Sequence, residues 1–298
     1  MTMSLLRSVF RLRAILPAAA VLLLSSCSSS KLSTSDALEK RYQHAVGLMQ
    51  KEDFDLAAIE LESLMFSTRA TELEDDVLYS LGKSYYFSDQ YLLASEIFRR
   101  LTQQNPESPF ARDAQFQLAK SCEQLSPHFE RDQEFTEKAI IEFKQYLDLY
   151  PVQDSTRIAG DVDTYRELLK VNPGNRDYQE KYERAQAELG QQAPAMYSMK
   201  VIPVLREKLA RNRYSIARNY VQLKKYRAAS IYFDEVIRSY PDTGYLEQAW
   251  MGKIDMAVKR KKWFEARQAI EQFQQLFPEK QEKVDGVYKT VLEKFSQS

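Results

Sequence analysis

A pair of side chains recurs at a fixed interval along this chain, and that interval constrains the fold more than any other feature of the sequence. The small residues Ala45, Gly82 and Ala119 follow one another at steps of 37, and an aromatic residue precedes each by three positions. The same step joins Ala217 to Ile254. Around these positions the apolar residues keep helical spacing, which places them on one helix face. The sequence therefore predicts a series of similar helical units.

A second set of positions marks the partner helix of each unit. Four aromatic residues stand three positions before an alanine, in the pairs Phe54/Ala57, Tyr91/Ala94, Tyr226/Ala229 and Trp263/Ala266. In the third unit Ala139 takes the alanine position, with Phe135 four residues before it. Twelve residues after four of these alanines stand Pro106, Pro151, Pro241 and Pro278. Because proline lacks the backbone N–H and clashes with the preceding turn, it predicts the end of each second helix.

Helix–turn–helix units of this length, with small residues where helices cross and a terminal proline, resemble tetratricopeptide repeats. The predicted fold is all-α, a right-handed solenoid of about five such helix pairs with a C-terminal capping helix. The predicted repeats cover 36–70, 71–107, 108–153, 204–242 and 243–279. Repeats 1–3 thus occupy 36–153, repeats 4–5 occupy 204–279, and the capping helix at 280–298 covers the open end of the stack, as solenoids require.

Two departures from the period locate insertions. Ala119 and Ala139 are 20 residues apart where the other units have 12, so eight additional residues lie between the helices of repeat 3. A larger, polar and charged insertion spans 154–203, and we expect two short helices in it, near 161–170 and 175–190. It is too polar to form a core by itself. Whether it binds a partner or only fills space, the sequence leaves open.

Cys27 follows a segment typical of exported proteins. Residues 1–26 combine a basic front, a short apolar stretch and small residues at the end, the pattern of a cleaved signal peptide. An uncleaved membrane helix is the alternative, but the apolar stretch is shorter than the roughly 20 residues that a spanning helix needs. Leu24-Ser25-Ser26-Cys27 resembles the lipobox of bacterial lipoproteins, which implies a mature chain that begins at Cys27 and carries three acyl chains, palmitate among them. Ser28 in place of aspartate favours the outer membrane, and residues 27–35 are interpreted as a flexible spacer.

Charge balance and the absence of catalytic motifs narrow the class of protein. The chain has 42 Lys and Arg against 42 Asp and Glu, whereas nucleic-acid binders carry a clustered basic excess. The sequence has two histidines, no Ser/His/Asp spacing, no glycine-rich loop and no Cys/His cluster. We therefore predict a protein that is not an enzyme, binds no nucleic acid and uses no metal or cofactor. Cys122 is predicted to be a buried small apolar residue.

The stretch 126–151, SPHFERDQEFTEKAIIEFKQYLDLYP, resembles the BamD family, the tetratricopeptide-repeat lipoproteins of the outer-membrane β-barrel assembly machinery. The matching residues are Ser126-Pro127, Glu130, Asp132-Gln133, Thr136, Ala139-Ile140 and Tyr150-Pro151. A second stretch agrees at Lys208-Leu209-Ala210, Tyr226, Ala229 and Tyr240-Pro241-Asp242-Thr243. The resemblance covers about 36–150 and 204–278. Arg213 departs from it, since the family usually has glutamate there, and the insertion at 154–203 is longer than usual.

This resemblance implies a scaffold that is lipid-anchored at the periplasmic face of the outer membrane. The implied partners are a BamA-like barrel protein, other assembly lipoproteins and unfolded outer-membrane proteins. The alternative is a pilotin-like or other repeat lipoprotein that escorts a different envelope complex, and the stretch 126–151 argues against it.

The first helices of tetratricopeptide repeats line a concave face, which predicts a binding groove. Positions three before, one after and four after the small residue point into that groove. The predicted peptide- or partner-binding residues are Tyr42, Val46 and Met49 in repeat 1, Tyr79, Lys83 and Tyr86 in repeat 2, and Phe116, Lys120 and Glu123 in repeat 3. Aromatic residues beside lysines suit an extended peptide with apolar side chains and a carboxylate, such as the C-terminal strand of a nascent barrel protein. Packing against other parts of the chain is the alternative.

Overall fold

The computed structural model describes residues 34–152 and 155–296, and in these residues the chain is helical with no strand. The predicted all-α fold class is confirmed. The described residues belong to two compact units, one that ends at Val77 and one that begins at Leu78. The predicted signal peptide and Cys27 lie outside the described residues, and the first helix already includes the last two residues of the predicted spacer.

Twelve α-helices and one 3-10 helix, Pro278–Lys280, occur in the described residues. The α-helices are α1 (Thr34–Gln50), α2 (Phe54–Ser67), α3 (Glu74–Phe87), α4 (Tyr91–Gln104), α5 (Ala111–Gln124), α6 (Glu134–Leu149), α7 (Ser155–Val171), α8 (Arg176–Gln222), α9 (Tyr226–Ser239), α10 (Leu246–Lys259), α11 (Trp263–Leu276) and α12 (Glu282–Ser296).

The first unit is built around the antiparallel pair α1 and α2. Ala45 on α1 and Ala57 on α2 are fully buried, together with Leu61 and Leu64, because small residues let the two helices approach closely. At the edge of this contact Arg41 Nε lies 2.7 Å from Glu60 Oε1. Such a partly exposed ion pair adds little stability, so the apolar contact holds the pair together.

In the second unit α4 packs on α5 and α5 on α6, and each helix from α7 to α11 packs on the next, while α6 packs on α8. The small residues that define the period lie where the helices meet. All of the described alanines of this kind are fully buried, namely Ala94, Ala119, Ala139, Ala217, Ala229 and Ala266. The apolar spacing thus predicted the buried face of each helix correctly.

Helix ends also follow the sequence. Helices α4, α6, α9 and α11 each end two residues before the proline that was expected to stop them. In four repeats the turn between the helices has a residue with positive φ two positions before the aromatic residue, and these are Glu52, Asp89, Lys224 and Lys261. Each turn is closed by a backbone hydrogen bond that spans five residues, such as Gln90 N–H to the Tyr85 carbonyl at 2.8 Å. This is the Schellman ending of a helix, formed here without glycine.

Gly82 lies at a close approach between the two helices of repeat 2. A Cβ atom at this position would lie 2.6 Å from Phe98 Cε1, inside van der Waals contact. The partner helix is α4 of the same repeat. In repeat 5 the position of closest approach is Gly252, where a Cβ would lie 2.5 Å from Phe233 of the preceding repeat. Gly82 of the period therefore marks a crossing within a repeat, whereas Gly252, two residues before the period position Ile254, marks a crossing between repeats.

The insertion after repeat 3 forms two helices, and the second is much longer than expected. The helix predicted near 175–190 is part of α8, a single helix of 47 residues that continues into the first helix of repeat 4. It spans about 70 Å at 1.5 Å per residue. Pro194 and Pro203 lie inside it, although a proline in a helix interior removes a backbone hydrogen bond. Helix α8 packs against α6, α7 and α9, and these contacts hold it in place across both prolines.

Helix α12 packs against α11 at the C-terminal end of the second unit. Val284 and Val291 of α12 are fully buried, and Tyr288 Oη donates a hydrogen bond to Glu271 Oε1 at 3.2 Å. Helix α12 thus covers α11, as a terminal capping element of a stack of repeats does.

Candidate functional site

The nine predicted groove residues lie on the first helices of repeats 1 to 3. On α1, Tyr42, Val46 and Met49 are all half-buried, while Ala45 between them is fully buried. These three side chains therefore share a partly exposed face of α1. They belong to the first unit, and the other six residues belong to the second.

Tyr79, Lys83 and Tyr86 on α3 form what we call the repeat-2 site. All three are half-buried. Leu81, Ser84 and Tyr85, on the other faces of the same helix, are buried. The helix thus keeps a partly exposed stripe with two aromatic rings and one amine, as the spacing predicted.

Tyr79 is the most constrained residue of the repeat-2 site. Its ring stacks on Phe110 with 4.6 Å between the centroids and 9° between the planes. Lys83 Nζ lies 5.6 Å from the centroid of the same ring, within the range of a cation–π attraction. Burial, together with the charge of Asp113 and a hydrogen bond to it, raises the pKa of Tyr79 to about 12. The phenol therefore remains neutral and polar at physiological pH.

Phe116, Lys120 and Glu123 on α5 form the repeat-3 site, and Tyr197 of α8 fills it. Phe116 meets the Tyr197 ring edge-on, with 5.8 Å between centroids and 90° between the planes. Lys120 Nζ lies 4.2 Å from the centroid of the Tyr197 ring. Phe143 of α6 closes the other side at 5.9 Å. The aromatic part of Tyr197 is thus surrounded by side chains of repeat 3.

The hydroxyl of Tyr197 completes a polar triangle. Lys120 Nζ donates to Tyr197 Oη at 2.7 Å and to Glu123 Oε2 at 3.0 Å, and Tyr197 Oη donates to Glu123 Oε1 at 2.8 Å. Burial alone lowers the pKa of Lys120, but its hydrogen bonds to Tyr197 and Glu123 outweigh burial and raise it. Burial is the main reason that the pKa of Tyr197 is raised. The charged amine therefore donates to both oxygens, and the neutral phenol accepts from the amine and donates to the carboxylate.

A further contact holds the same part of α8 against repeat 3. Arg112 Nη2 donates to the backbone carbonyl of Gln191 at 2.6 Å, and Arg112 Nε donates to Tyr146 Oη at 3.2 Å. Pro194 lacks the N–H that would donate to the carbonyl four residues before it, and the carbonyl of Gln191 is the next one along the chain. A side chain of repeat 3 therefore supports α8 where its own hydrogen bonding is interrupted.

The eight-residue insertion of repeat 3 is fixed to α8 as well. Lys208 Nζ donates to Ser126 Oγ at 2.7 Å, and Asn212 Nδ2 donates to the Phe129 carbonyl at 2.7 Å. Within the loop Gln133 Nε2 donates to the His128 carbonyl at 2.9 Å. The two stretches that carry the family resemblance, 82 residues apart at Ser126 and Lys208, are therefore in direct contact.

Arg213 is paired on both sides. Its Nε lies 2.7 Å from Glu235 Oε1 of α9, and its Nη2 lies 3.3 Å from Glu137 Oε1 of α6. Arginine at this position therefore links three helices through α8. A glutamate here would face two like charges, so the departure from the family pattern is compensated by its neighbours.

Within the described residues no three or more His, Cys, Asp and Glu side chains are arranged to hold a metal ion. Nor does this part of the chain contain a helix long and apolar enough to cross a bilayer. Cys122 is fully buried, as predicted, and burial raises the pKa of its thiol to about 11.

Sequence reasoning missed Tyr197 and Phe110 as parts of these sites. Phe110 stands one residue before α5, and Tyr197 lies in a segment that was interpreted as a polar insertion. Neither residue belongs to the 37-residue pattern. For Tyr197 the available signal was an apolar and aromatic run, AMYSM at 195–199, inside an otherwise charged stretch.

The sequence matches the family model described as YfiO: Outer membrane lipoprotein, over residues 35–172 and 214–298. Residues 173–213, which include Tyr197, lie outside the match. A comparison with curated proteins finds no significant match.

Three similar solved structures are tetratricopeptide-repeat proteins. A repeat protein from Parabacteroides merdae has 13% identity and a TM-score of 0.34, covering 87% of this chain and 98% of that chain. The TPR domain of P58(IPK) has 13% identity and a TM-score of 0.35, covering 90% and 68%. The TPR2AB domain of yeast Sti1, in a complex with pHSP90, has 14% identity and a TM-score of 0.32, covering 86% and 99%. At TM-scores below 0.5 these likenesses carry no conclusion.

Proposed function

The chain belongs to the YfiO family of outer membrane lipoproteins, and on that premise we propose that it is a lipid-anchored scaffold of the outer-membrane protein assembly machinery. In this proposal Cys27 carries the lipid and holds the chain at the periplasmic face of the outer membrane. The partners are a BamA-like barrel protein and other assembly lipoproteins. The protein acts by binding, without catalysis and without a cofactor other than its covalent lipid.

We also propose that the repeat-2 site binds segments of unfolded outer-membrane proteins. The observation that carries this proposal is the stripe on α3, where Tyr79 and Tyr86 flank Lys83 and all three keep exposed surface. The stacking of Tyr79 on Phe110 holds its ring in one orientation. Rigid aromatic anchors of this kind dominate binding energies at many interfaces because they lose little conformational freedom.

The chemistry of the repeat-2 site favours an extended peptide that ends in an aromatic residue. Two tyrosine rings offer apolar and edge contacts to such a side chain. Lys83 offers its amine to the terminal carboxylate, and a half-buried ammonium pairs more strongly with a carboxylate than one in bulk water does. The C-terminal strand of a barrel protein presents these groups together.

Titration of a fluorescein-labelled peptide of this kind tests the site. We expect the double variant Tyr79→Ala/Lys83→Ala to bind at least tenfold more weakly than the parent chain. The matched control is Phe264→Ala/Lys262→Ala, which removes an exposed aromatic ring and a lysine from repeat 5. Equal affinity of the parent and the first variant, with helicity retained in circular dichroism, would exclude the repeat-2 site.

Co-purification of partner proteins from cell envelopes tests the proposed scaffold role. In mild detergent the tagged chain is expected to recover a BamA-like barrel protein. The Cys27→Ser variant is expected to stay uncleaved in the inner membrane and to lose that partner. Recovery of a secretin instead of the barrel protein would favour the pilotin-like alternative.

A further inference from the structure

Two equivalent lysines of this chain have different surroundings. Lys83 and Lys120 stand one repeat apart, four residues after Tyr79 and Phe116 respectively. Lys83 lies beside the ring of Tyr79 from its own helix. Lys120 lies over the ring of Tyr197, which comes from α8, 77 residues later in the chain. In both repeats the chain supplies an aromatic neighbour, Phe110 for Tyr79 and Tyr197 for Phe116, and in repeat 3 that neighbour also accepts a hydrogen bond from the lysine.

We propose that the repeat-3 site is a latent binding site for a tyrosine side chain of an extended peptide, and that Tyr197 is its built-in occupant. The isolated chain is then closed at this site, and a peptide tyrosine binds there by displacing Tyr197. The inference rests on the proposed peptide-binding role of the first helices. It goes beyond that role by assigning a second site, its ligand and the segment that competes for it.

The composition of the site supports a ligand rather than plain core packing. Lys120 and Glu123 have side chains that are 18% and 19% exposed, and burying charged groups is unfavourable unless each is paired. An apolar pair would suffice to pack one helix on another. Here the amine donates to the phenol oxygen and the carboxylate accepts from the phenol O–H, while Phe116 and Phe143 contact the ring.

This arrangement selects tyrosine over phenylalanine. A phenylalanine ring fits between the same aromatic neighbours, but it leaves Lys120 and Glu123 without the hydroxyl that they both contact. Sites built to hydrogen-bond a hydroxyl reject the analogue that lacks it much more strongly than an apolar pocket does.

The segment that carries Tyr197 is bounded by interruptions in the helix. Pro194 and Pro203 each remove a backbone hydrogen bond from α8. Between them Tyr197 makes the ring and hydroxyl contacts with repeat 3, Ala195 and Ser198 are fully buried, and Arg112 holds the backbone just before Pro194. A segment bounded by two weakened turns can leave its site without unfolding the rest of the helix.

Calorimetric titration of the full chain in detergent with a ten-residue peptide of alternating apolar and polar residues, ending in tyrosine, tests the inference. At peptide concentrations too low to displace Tyr197, we expect one equivalent bound by the parent chain and two by Tyr197→Ala. Adding Lys120→Ala to that variant is expected to remove the second equivalent. The same peptide ending in phenylalanine is expected to bind the second site at least tenfold more weakly.

The outcomes separate this inference from the proposed function. One equivalent in both the parent and a helical Tyr197→Ala variant overturns the latent site and leaves the repeat-2 site intact. No binding by the parent and one equivalent bound by Tyr197→Ala, lost with Lys120→Ala, overturns the repeat-2 site and supports the latent one. No binding by either chain overturns both.

Hydrogen exchange on the parent chain provides a second measurement, which does not depend on how well a variant folds. Saturating peptide is expected to increase amide exchange at least fivefold over residues 195–202, because a displaced Tyr197 releases that stretch. Unchanged exchange there at concentrations that fill two sites would show that Tyr197 is not displaced, and would overturn the inference.

Discussion

Repeats 2 and 3 share a register on their first helices, yet they differ in what covers it. In repeat 2 the ring of Tyr79 stacks on Phe110, a residue of the adjoining turn, and the stripe stays partly exposed. In repeat 3 the ring of Phe116 meets Tyr197, which comes from α8. The same spacing therefore produces two partly exposed stripes, one contacted by a residue of the adjoining turn and the other by a residue of α8. What decides between them is the segment that follows repeat 3.

The difference does not extend to the second helices. Phe98 on α4 and Phe143 on α6 stand four residues after the buried alanines of their repeats, and both are fully buried. Each packs beneath the first helix of its own repeat. The helix pairs are therefore built alike, and the insertion changes only the face that a ligand could use.

Truncation of these two phenylalanines is expected to have the largest effect on stability. Phe143→Ala and Phe98→Ala should each lower the free energy of unfolding by about 3–5 kcal/mol, because each leaves a cavity at a fully buried position. Urea denaturation measures this loss. Phe143 also contacts Tyr197, so only Phe143→Ala is expected to increase hydrogen exchange near residue 197. Equal hydrogen exchange near residue 197 in both variants would contradict the difference described between repeats 2 and 3.

Removal of the two lysine amines is expected to have a smaller and unequal effect. Lys120→Met leaves the half-buried Glu123 carboxylate and the Tyr197 hydroxyl without their common donor, which should destabilise the fold by about 1–3 kcal/mol. Lys83→Met removes one cation–π contact, worth about 0.5–1 kcal/mol where a site is exposed. Denaturation of the paired variants in the same buffer compares the losses. A larger loss for Lys83→Met would contradict the pairing described for repeat 3.

A third difference is expected at high pH, from titration of Tyr79, which repeat 3 lacks because Phe116 takes its place. Burial and Asp113 raise the pKa of Tyr79 to about 12 in the folded chain, from its ordinary value of 10.0. The unfolded chain therefore loses this proton first, and the stability that Tyr79 contributes is present below pH 10 and is lost as the pH rises towards 12. Tyr79→Phe should flatten that part of the stability profile. Ultraviolet titration should show one tyrosine fewer in the group that ionises last.

The sequence predicted the features that depend on neighbours in the chain. Buried alanines, helix ends before the prolines and the exposed stripe on α3 follow from spacing, because small residues are needed wherever two helices touch. The partner of Gly82 was less predictable. A glycine shows that something approaches closely, but only the structure shows that Phe98 of the same repeat does so.

The length of α8 and the role of Tyr197 could not be read from the sequence in this way. Pro194 and Pro203 are signals for a helix end, and the contacts of α8 with other helices overcome them. Tyr197 contacts Phe116, which lies more than two repeat lengths earlier in the chain, and no periodic pattern connects them. Long-range contacts of single residues leave no regular trace in a sequence.

The contacts that α8 makes also have a consequence for the kinetics of folding. Arrays of repeats can fold locally, because each unit touches only its neighbours in the chain. Here repeat 3 is linked to α8 by hydrogen bonds between residues 74 to 83 positions apart, from Glu123 to Tyr197 and from Phe129 to Asn212. Closing such loops is entropically slow. Repeat 3 should therefore reach its final packing only after the whole of α8 has formed, which makes it the late step in the folding of the second unit.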